Sequence, residues 1–427
     1  MKFFKNNNAV NENLDEDITL EEVHGVDAKK IKQNQKISSQ ELDRGIGNTT
    51  NIIGDGPKKC IGCGKTLQID DETQPGYVKD IVQQDYCFRC FRIKHYNRLV
   101  EQEINDDDFV AILKEINKSL EKIRYYYVVD IFDLPGSRVE WLEQLIAEKE
   151  VVIVVNKIDL IPKSVNKLKI IKYVKNFFAD SPIKNPKYIL TSSVKLDYVY
   201  ALLKELKSIS YDQYIIGISN AGKSSLINAC LKENLQVPSI VTSKYVNTTL
   251  DKIKINFTAK NYVFDTPGLV KHHHIATATA PNYWDFFFFQ KEIKQITYQL
   301  HPMQSIFYGG LAWFTFKTSN QLDPQNNKLK KTNFHFYVNK QMPLHRTKAD
   351  NAYNYYKKNR VSLVPRVGDV NQKFTTIDFE FDKSDNVDLH ISGLGWINFK
   401  THPGMQVSVT VPITTKGVKV ICLPAMI

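Results

Sequence analysis

The sequence predicts an α/β fold built on a parallel sheet, preceded by a small cysteine-bearing segment and followed by a β-rich C-terminal part. Three observations point there. The continuous apolar runs Tyr125–Ile131 and Val151–Val155, with helical stretches between and after them, read as central parallel strands buried on both faces. Gly217-Ile218-Ser219-Asn220-Ala221-Gly222-Lys223-Ser224 fits G-x-x-x-x-G-K-[ST], with the strand-like Tyr214-Ile215-Ile216 before it and the helically spaced Ser225–Leu231 after it. Two C-x-x-C pairs, Cys60 with Cys63 and Cys87 with Cys90, sit on one short segment ahead of both.

At 427 residues the chain exceeds one ordinary core, so two or three domains are expected. A formal charge of +11 with pI ≈ 9.0 favours a polyanionic partner through counterion release, although a generally lysine-rich proteome would give the same figure. No run approaches the roughly 20 apolar residues of a membrane span. The start, Met1–Asn8, turns polar too soon for a secretory signal, and the acidic residues between Glu12 and Glu22 argue against an organelle transit peptide. A cytoplasmic protein with no membrane contact is expected.

Residues 1–55 are rich in Asn, Gln, Asp, Glu and Lys and show no sustained period. They read as a solvated, mostly disordered tail with a short helix near Leu20–Val26. Residues 56–100 form a four-cysteine segment. Cys60, Cys63, Cys87 and Cys90 can place four thiolates around Zn²⁺, and Gly62 and Gly64 suit a tight knuckle. Disulfides are disfavoured in a cytoplasmic protein, and a redox pair would need only one C-x-x-C. A closed structural site is expected, since no acidic base stands nearby. Basic residues (Lys58, Lys59, Lys65, Arg89, Arg92, Lys94, His95, Arg98) alternate with Tyr86, Phe88, Phe91 and Tyr96. That mixture suits RNA, although so small a segment also needs aromatics for its core. Cys230 and Cys422 are isolated and read as buried small hydrophobes.

Residues 101–280 carry the nucleotide chemistry. Gly217 and Gly222 let the loop turn its N–H groups towards phosphates, Lys223 reaches the outer phosphates, and the Ser224 hydroxyl can hold Mg²⁺, with Ser225 beside it. Asn156-Lys157-Ile158-Asp159 ends the second apolar run. The Asp159 carboxylate can accept two hydrogen bonds from guanine where adenine would repel it. Asn156 faces the other edge of the base and the Lys157 stem lies across it. Ser192 and Ser193 open a base-backing loop after the strand Tyr188–Thr191. In Asp265-Thr266-Pro267-Gly268, Asp265 would hold Mg²⁺ through water and the Gly268 N–H would sense the γ-phosphate. Asp133–Gly136 also fits D-x-x-G but reads as a turn after the first strand. Thr248 and Thr249 occupy the place of the switch threonine, and either hydroxyl fits the metal. All parts of a GTP/GDP site are present, yet base recognition precedes the P-loop. That order defines a circularly permuted P-loop GTPase, because surface loops tolerate relocated termini.

This arrangement resembles the YqeH family of circularly permuted GTPases. The resemblance runs from about Pro57 to the C-terminus and includes Cys90–Asn97, Asp130-Ile131-Phe132-Asp133, Phe307–Ala312, His345–Lys348 and Ser392–Trp396. It implies GTP hydrolysis during assembly of the small ribosomal subunit, with contacts to its rRNA. Ala221 replaces the usual valine, and Val246-Asn247 stands where a Pro-Gly precedes the paired threonines, which changes loop stiffness. Leu269 fills the place where Ras-type enzymes keep a water-orienting glutamine. The resemblance suggests instead that Asn220 and the switch loop hold K⁺ beside the phosphates, with slow intrinsic turnover. His272, His273 and His274 read as a solvated loop, with RNA, catalytic or metal roles as the lesser alternatives.

In residues 281–427 a helical stretch near Asp285–Leu300 is followed by alternating segments at Ser305–Lys317, Phe334–Asn339, Thr375–Phe381, Asp388–Phe399, Met405–Pro412 and Gly417–Leu423. They predict a mainly antiparallel sheet. His345–Arg360 reads as a polar, tyrosine-rich helix that either packs on the sheet or meets nucleic acid. The leading expectation is a monomeric GTPase that binds pre-ribosomal RNA in one nucleotide state. The alternative is a non-hydrolytic RNA-binding scaffold with guanine nucleotide as a structural ligand. A metabolic phosphotransferase is disfavoured, because no acid/base pair for a second substrate is visible.

Overall fold

The computed structural model describes residues 57–72, 74–88, 90–91, 106–119, 121–163, 165–236, 252–289, 291–322 and 329–427. The expected tail, the basic stretch after Phe91 and the pair Thr248 and Thr249 lie outside the described residues.

The apolar runs form a six-stranded sheet from β1 (Ile123–Asp130), β2 (Glu150–Asn156), β3 (Lys187–Leu190), β4 (Asp212–Ile216), β5 (Ile253–Asn256) and β6 (Tyr262–Asp265). Its order is β3-β2-β1-β4-β6-β5. Every pair is parallel except the edge pair β5–β6. β1 and β2 are buried almost without interruption, as strands covered on both faces must be. The helices are α1 (Asp106–Asn117), α2 (Leu134–Ser137), α3 (Glu140–Ile146), α4 (Lys167–Phe177), α5 (Leu196–Lys207) and α6 (Lys223–Glu233). α4 shows how one forms. The Asn166 side chain caps the Leu168 N–H, and Ile170, Ile171, Tyr173 and Val174 bury one face. Each such apolar side chain contributes about 1.5–3 kcal/mol, so a charge at Val174 would detach the helix.

Parallel pairing has one consequence for function. The carboxyl ends of β1, β2, β3, β4 and β6 all open on the same sheet edge, where α/β ligands sit. β1 lies between β2 and β4, so the base-recognition strands enter first and the P-loop strand fourth. The strands that carry base recognition, β2 and β3, precede the P-loop strand β4 in the chain, as the motifs predict.

The C-terminal part is two five-stranded antiparallel sheets. Its strands are β7 (Gln295–Leu300), β8 (Gln304–Tyr308), β9 (Ala312–Thr318), β10 (Thr332–Tyr337), β11 (Leu344–Lys348), β12 (Phe374–Phe381), β13 (Asn386–Ile391), β14 (Gly395–Lys400), β15 (Met405–Pro412) and β16 (Val420–Pro424). The orders are β16-β13-β14-β10-β7 and β11-β8-β9-β15-β12. Both sheets contribute to one core, with Phe314, Phe316, Val407 and Val409 meeting Phe334, Phe336, Leu389 and Phe399.

Several expectations change here. The stretch Asp285–Leu300 is not a helix: Pro281–Phe287 forms 3₁₀ turns and Gln295–Leu300 is β7, paired with β10. The aromatic run there lacks a helical stripe, while Gln295–Leu300 alternates in burial, which is a strand period. Within His345–Arg360 only Ala352–Asn359 (α7) is α-helical, and its start belongs to β11. Ser305–Lys317 and Asp388–Phe399 are hairpins rather than single strands. The first hairpin turns at Gly309, where a Cβ would stand 2.6 Å from the Pro365 carbonyl oxygen. Asp133–Gly136 leads into the single helical turn α2, with Pro135 in its first turn. Tyr356 packs on Trp313 and Phe374, and Tyr355 packs on Phe307 and His345, whereas Tyr353 is exposed. Cys230 is buried as expected, but Cys422 is only half-buried.

Candidate nucleotide site and metal centre

The P-loop joins β4 to α6. Gly217 has φ +139°, and a Cβ there would meet the Val128 carbonyl oxygen at 2.5 Å. Gly222, at φ +97°, starts α6, and a Cβ there would stand 2.3 Å from Asn156 Nδ2. Lys223 is 6% exposed. Its ammonium donates to the carbonyls of Gly217 and Ile218 at 3.0 and 3.1 Å. Burial pulls its pKa down to about 8, with Asp265 opposing and Lys271 adding to the fall. The Ser224 hydroxyl donates to Asp265 Oδ2 at 3.0 Å, so the two residues expected to hold Mg²⁺ already touch. Ser225 follows them, half-buried, in the first turn of α6.

The base loops lie against this loop. Asn156 is fully buried and its Nδ2 donates to the Ala221 carbonyl at 2.7 Å. Its Oδ1 is buried with no hydrogen-bond partner among the described residues. Such an orphan costs about 1–3 kcal/mol and suits a donor supplied by a ligand. Asp159 sits half-buried in the 3₁₀ turn Ile158–Leu160 beside it. The Ser192 hydroxyl accepts the N–H groups of Val194 and Lys195, which fixes the turn between β3 and α5, and Ser193 is half-buried beside it. The Ile158 N–H donates to the Thr191 carbonyl at 3.2 Å, joining both base loops. These residues fit a guanine nucleotide with Mg²⁺.

The segment after β6 was only partly legible. Gly268 sits on the P-loop, where a Cβ would meet Ser219 Oγ at 2.6 Å and Lys223 Nζ at 3.1 Å. Leu269 is 2% exposed and pairs with the P-loop through its backbone: its carbonyl accepts Ser219 N–H at 2.7 Å, and its N–H donates to Gly217 at 3.2 Å. The solvated-loop reading of the three histidines fails for His274, which is buried. Its Nδ1 accepts the Ala276 N–H, and its Nε2 lies 3.8 Å from Asp133. Burial, with help from Lys271 and Lys157, holds it well below the ordinary imidazole value, so the ring is neutral near pH 7.

Residues to which the sequence analysis gave no role at the site complete the surroundings. Asp130 ends β1 and holds Lys157 Nζ at 2.5 Å. Asp133, its carboxyl raised by burial against the pull of Lys271, accepts the Ser392 hydroxyl at 3.1 Å. Lys271 lies 3.9 Å from Asp133, and His274 fills the place a Cβ on Gly393 would take. Phe132 packs at a tilt against Phe289 and Trp396. The available signal was position: two carboxylates stand at and just past the carboxyl end of the central strand.

The four cysteines form a second centre. All are buried, and their sulfurs lie within 4.8 Å of one another. Cys63 and Cys87 are 3.8 Å apart, close to the edge of a tetrahedral site with Zn–S near 2.3 Å. Cys87 N–H donates to Cys60 Sγ, and Gly64, at φ +83°, closes the first knuckle on the Cys60 carbonyl. Hydrogen bonding among the thiols drives Cys60 and Cys87 towards thiolate and Cys63 and Cys90 towards thiol, a set that a metal dication would deprotonate fully. The residues fit Zn²⁺.

A P-loop on the fourth strand, with its base-recognition loops ahead of it in the chain, defines a circularly permuted P-loop GTPase. Family models agree: RsgA GTPase matches residues 142–274, 50S ribosome-binding GTPase matches 212–340, and the YqeH-like C-terminal model matches 331–426. The chain is 31% identical over 347 residues to YqeH of Bacillus subtilis (strain 168), spanning 79% of this chain and 92% of that one. It therefore belongs to the YqeH family. NO-associated protein 1, chloroplastic/mitochondrial, of Arabidopsis thaliana is 26% identical over 400 residues, spanning 80% of this chain and 69% of that one. GTPase grn1 of Schizosaccharomyces pombe is 32% identical over 167 residues, spanning 34% and 35%.

Proposed function

We propose that this protein is a GTP-hydrolysing assembly factor for the small ribosomal subunit, binding its rRNA in one nucleotide state and leaving in the other. The carrying observation is the path of the chain after Gly268. Leu269 pairs with the P-loop, Lys271 and His274 face Asp133, and His273 and Ile275 hydrogen-bond to Lys419 and Ser392 of the β-sandwich. A nucleotide that moves this segment would act on the sandwich directly. Supporting an RNA partner are the +11 charge, the exposed Phe88 and Phe91 of the four-cysteine segment, and the exposed His345, Arg346, Lys348, Lys357 and Lys358 of β11 and α7. The protein acts in the cytoplasm as a monomer; among the described residues no helix is long and apolar enough to cross a membrane.

GTP turnover should be slow alone, on the order of 10⁻⁴–10⁻³ s⁻¹, and rise with small subunits. Stimulation by large subunits instead would redirect the reading to that particle. In the proposed mechanism K⁺ near Asn220 supplies charge to the phosphates. Turnover is then faster in K⁺ than in Na⁺, with the difference lost in Asn220→Ala, and equal rates in both salts would sink the K⁺ role. The four cysteines hold structural Zn²⁺, so chelation releases one zinc per chain. Buried, backbone-paired Leu269 favours a second reading, the non-hydrolytic RNA-binding scaffold. Tight GDP binding without turnover under any condition would select it.

A further inference from the structure

Lys157 and Asn220 are both non-glycine residues in the left-handed region, at φ +64° and +62°. Such conformations cost on the order of 1–3 kcal/mol and persist only where the surroundings impose them. The two are tied together, since Lys157 Nζ donates to the Asn220 carbonyl at 2.9 Å. A second bond fixes the same ammonium, from Nζ to Asp130 Oδ2 at 2.5 Å. Asp130 is itself immobilised. It is 3% exposed, its Oδ1 accepts the Phe132 N–H at 3.0 Å, and its own N–H donates to Ser137 Oγ at 3.0 Å. That hydroxyl in turn donates to the Asp133 carbonyl at 2.9 Å.

We propose that Asp130 is a positioning residue for nucleotide binding: it anchors Lys157, and through Lys157 it locks the N-K-x-D loop to the P-loop. The inference rests on the guanine-nucleotide reading of this site. Asp130 belongs to none of the nucleotide motifs, and its carboxylate acts only through the ammonium it holds. Its location explains why it can do so. β1 is the central strand between β2, which carries the base loop, and β4, which carries the P-loop. A carboxylate at its carboxyl end is a fixed anion placed between the two loops. Asp130 and Lys157 also line, with Ser219 and Asn220, a cavity of about 120 Å³. An ammonium released by Asp130 therefore has room to swing away, and the loops lose one of the ties between them, the Asn156 Nδ2 bond to the Ala221 carbonyl being another.

The test is a fluorescent-GDP titration of wild type, Asp130→Asn, Lys157→Met and the double variant, each with a thermal melt. Asn keeps an oxygen for the Phe132 amide, so the local turn survives. Each single variant should bind GDP at least about tenfold more weakly, and the double variant no more weakly than Lys157→Met alone. An ordinary structural ion pair would instead lower the melting temperature and leave the affinity of the folded fraction unchanged. Wild-type affinity in Asp130→Asn, or losses that multiply in the double variant, overturns the proposal. Should Asp130→Asn fail to fold, Lys157→Met decides, since full affinity there leaves Asp130 nothing to position. Absence of GDP binding by the wild type is a different outcome and removes the nucleotide reading itself.

Discussion

The parallel sheet and the C-terminal sandwich both bury aromatic-rich cores, but they use buried polar groups differently. On the parallel-sheet side Asp130, Asn156, Ser192, Lys223 and Asp265 are all buried and stand together at the carboxyl edge, while buried Gln213, near the start of β4, pairs with the Tyr126 hydroxyl and the Leu206 carbonyl. In the sandwich they close local bonds. Asp388 accepts the Met426 N–H and Asn398 Nδ2, Ser319 meets His402, and Ser305 meets Thr315. The pattern breaks at the junction, where His390 Nε2 of β13 lies 3.1 Å from the Tyr173 hydroxyl of α4. The β13–β14 turn at Ser392 and Gly393 presents its polar groups to Asp133 and His274 across the junction. Buried polarity that converges serves a ligand or a contact, whereas buried polarity that pairs off serves the fold.

The largest way to break this contrast is Lys223→Ala. Loss of the ammonium proposed to bind the phosphates should cut GTP turnover by about 10²–10³-fold while the melting of the sandwich stays put. A melt that shifts as much as the activity would mean Lys223 is structural. Next comes pH, through imidazoles on both sides. Burial lowers His390 to about 3 and takes His274 well below its usual value. Both therefore stay neutral when folded and protonate readily when unfolded. Their stability contribution is present above the ordinary pKa of about 6.5 and is lost as pH falls towards the folded values, for His390 by on the order of a few kcal/mol. Melting temperature should drop between pH 7 and pH 4, and less so in His390→Gln. Asp388, raised to about 6 by burial, works the other way, losing stability as pH rises from about 4 to 6. A flat pH profile in the wild type would refute the buried-imidazole account.

Gly393→Ala sharpens the contrast at the junction. At φ +91° a Cβ would stand 2.5 Å from the His274 ring, so the variant should lose about 1–3 kcal/mol of stability. It should also erase any GDP-versus-GTP-analogue difference in hydrogen exchange beyond residue 280; a wild type that shows no such difference would end the coupling idea. The smallest effect belongs to the exposed face. Replacing Lys357 and Lys358 should leave stability within about 0.5 kcal/mol and reduce the salt slope of RNA binding by about one per lysine that meets a phosphate. An unchanged slope would move the proposed RNA contact away from α7.

The sequence by itself determined the architecture of the nucleotide edge. Gly217, Gly222, Lys223, Asn156 and Asp265 are legible because each obeys a local rule, in which a strand runs out, a loop turns and a side chain faces the opening. The four cysteines are legible for the same reason, since two knuckles of short span suffice to gather them. Alternation, too, announced an antiparallel C-terminal part, although Gln295–Leu300 hid its strand period behind the aromatic run before it. Tertiary structure decided everything that depends on partners far along the chain. Asp130 meets Lys157 across 27 residues, and Asp133 meets Ser392 across 259. No local period encodes such pairs, and an aspartate at a strand end looks the same whether water or a buried ammonium faces it. Leu269 became a backbone rung of the P-loop because it extends the parallel pairing of β4 with β6, and His274 a buried neutral ring where the segment meets Gly393 of the sandwich. Burial sets the charge of a titratable group, and burial is a property of the packed chain.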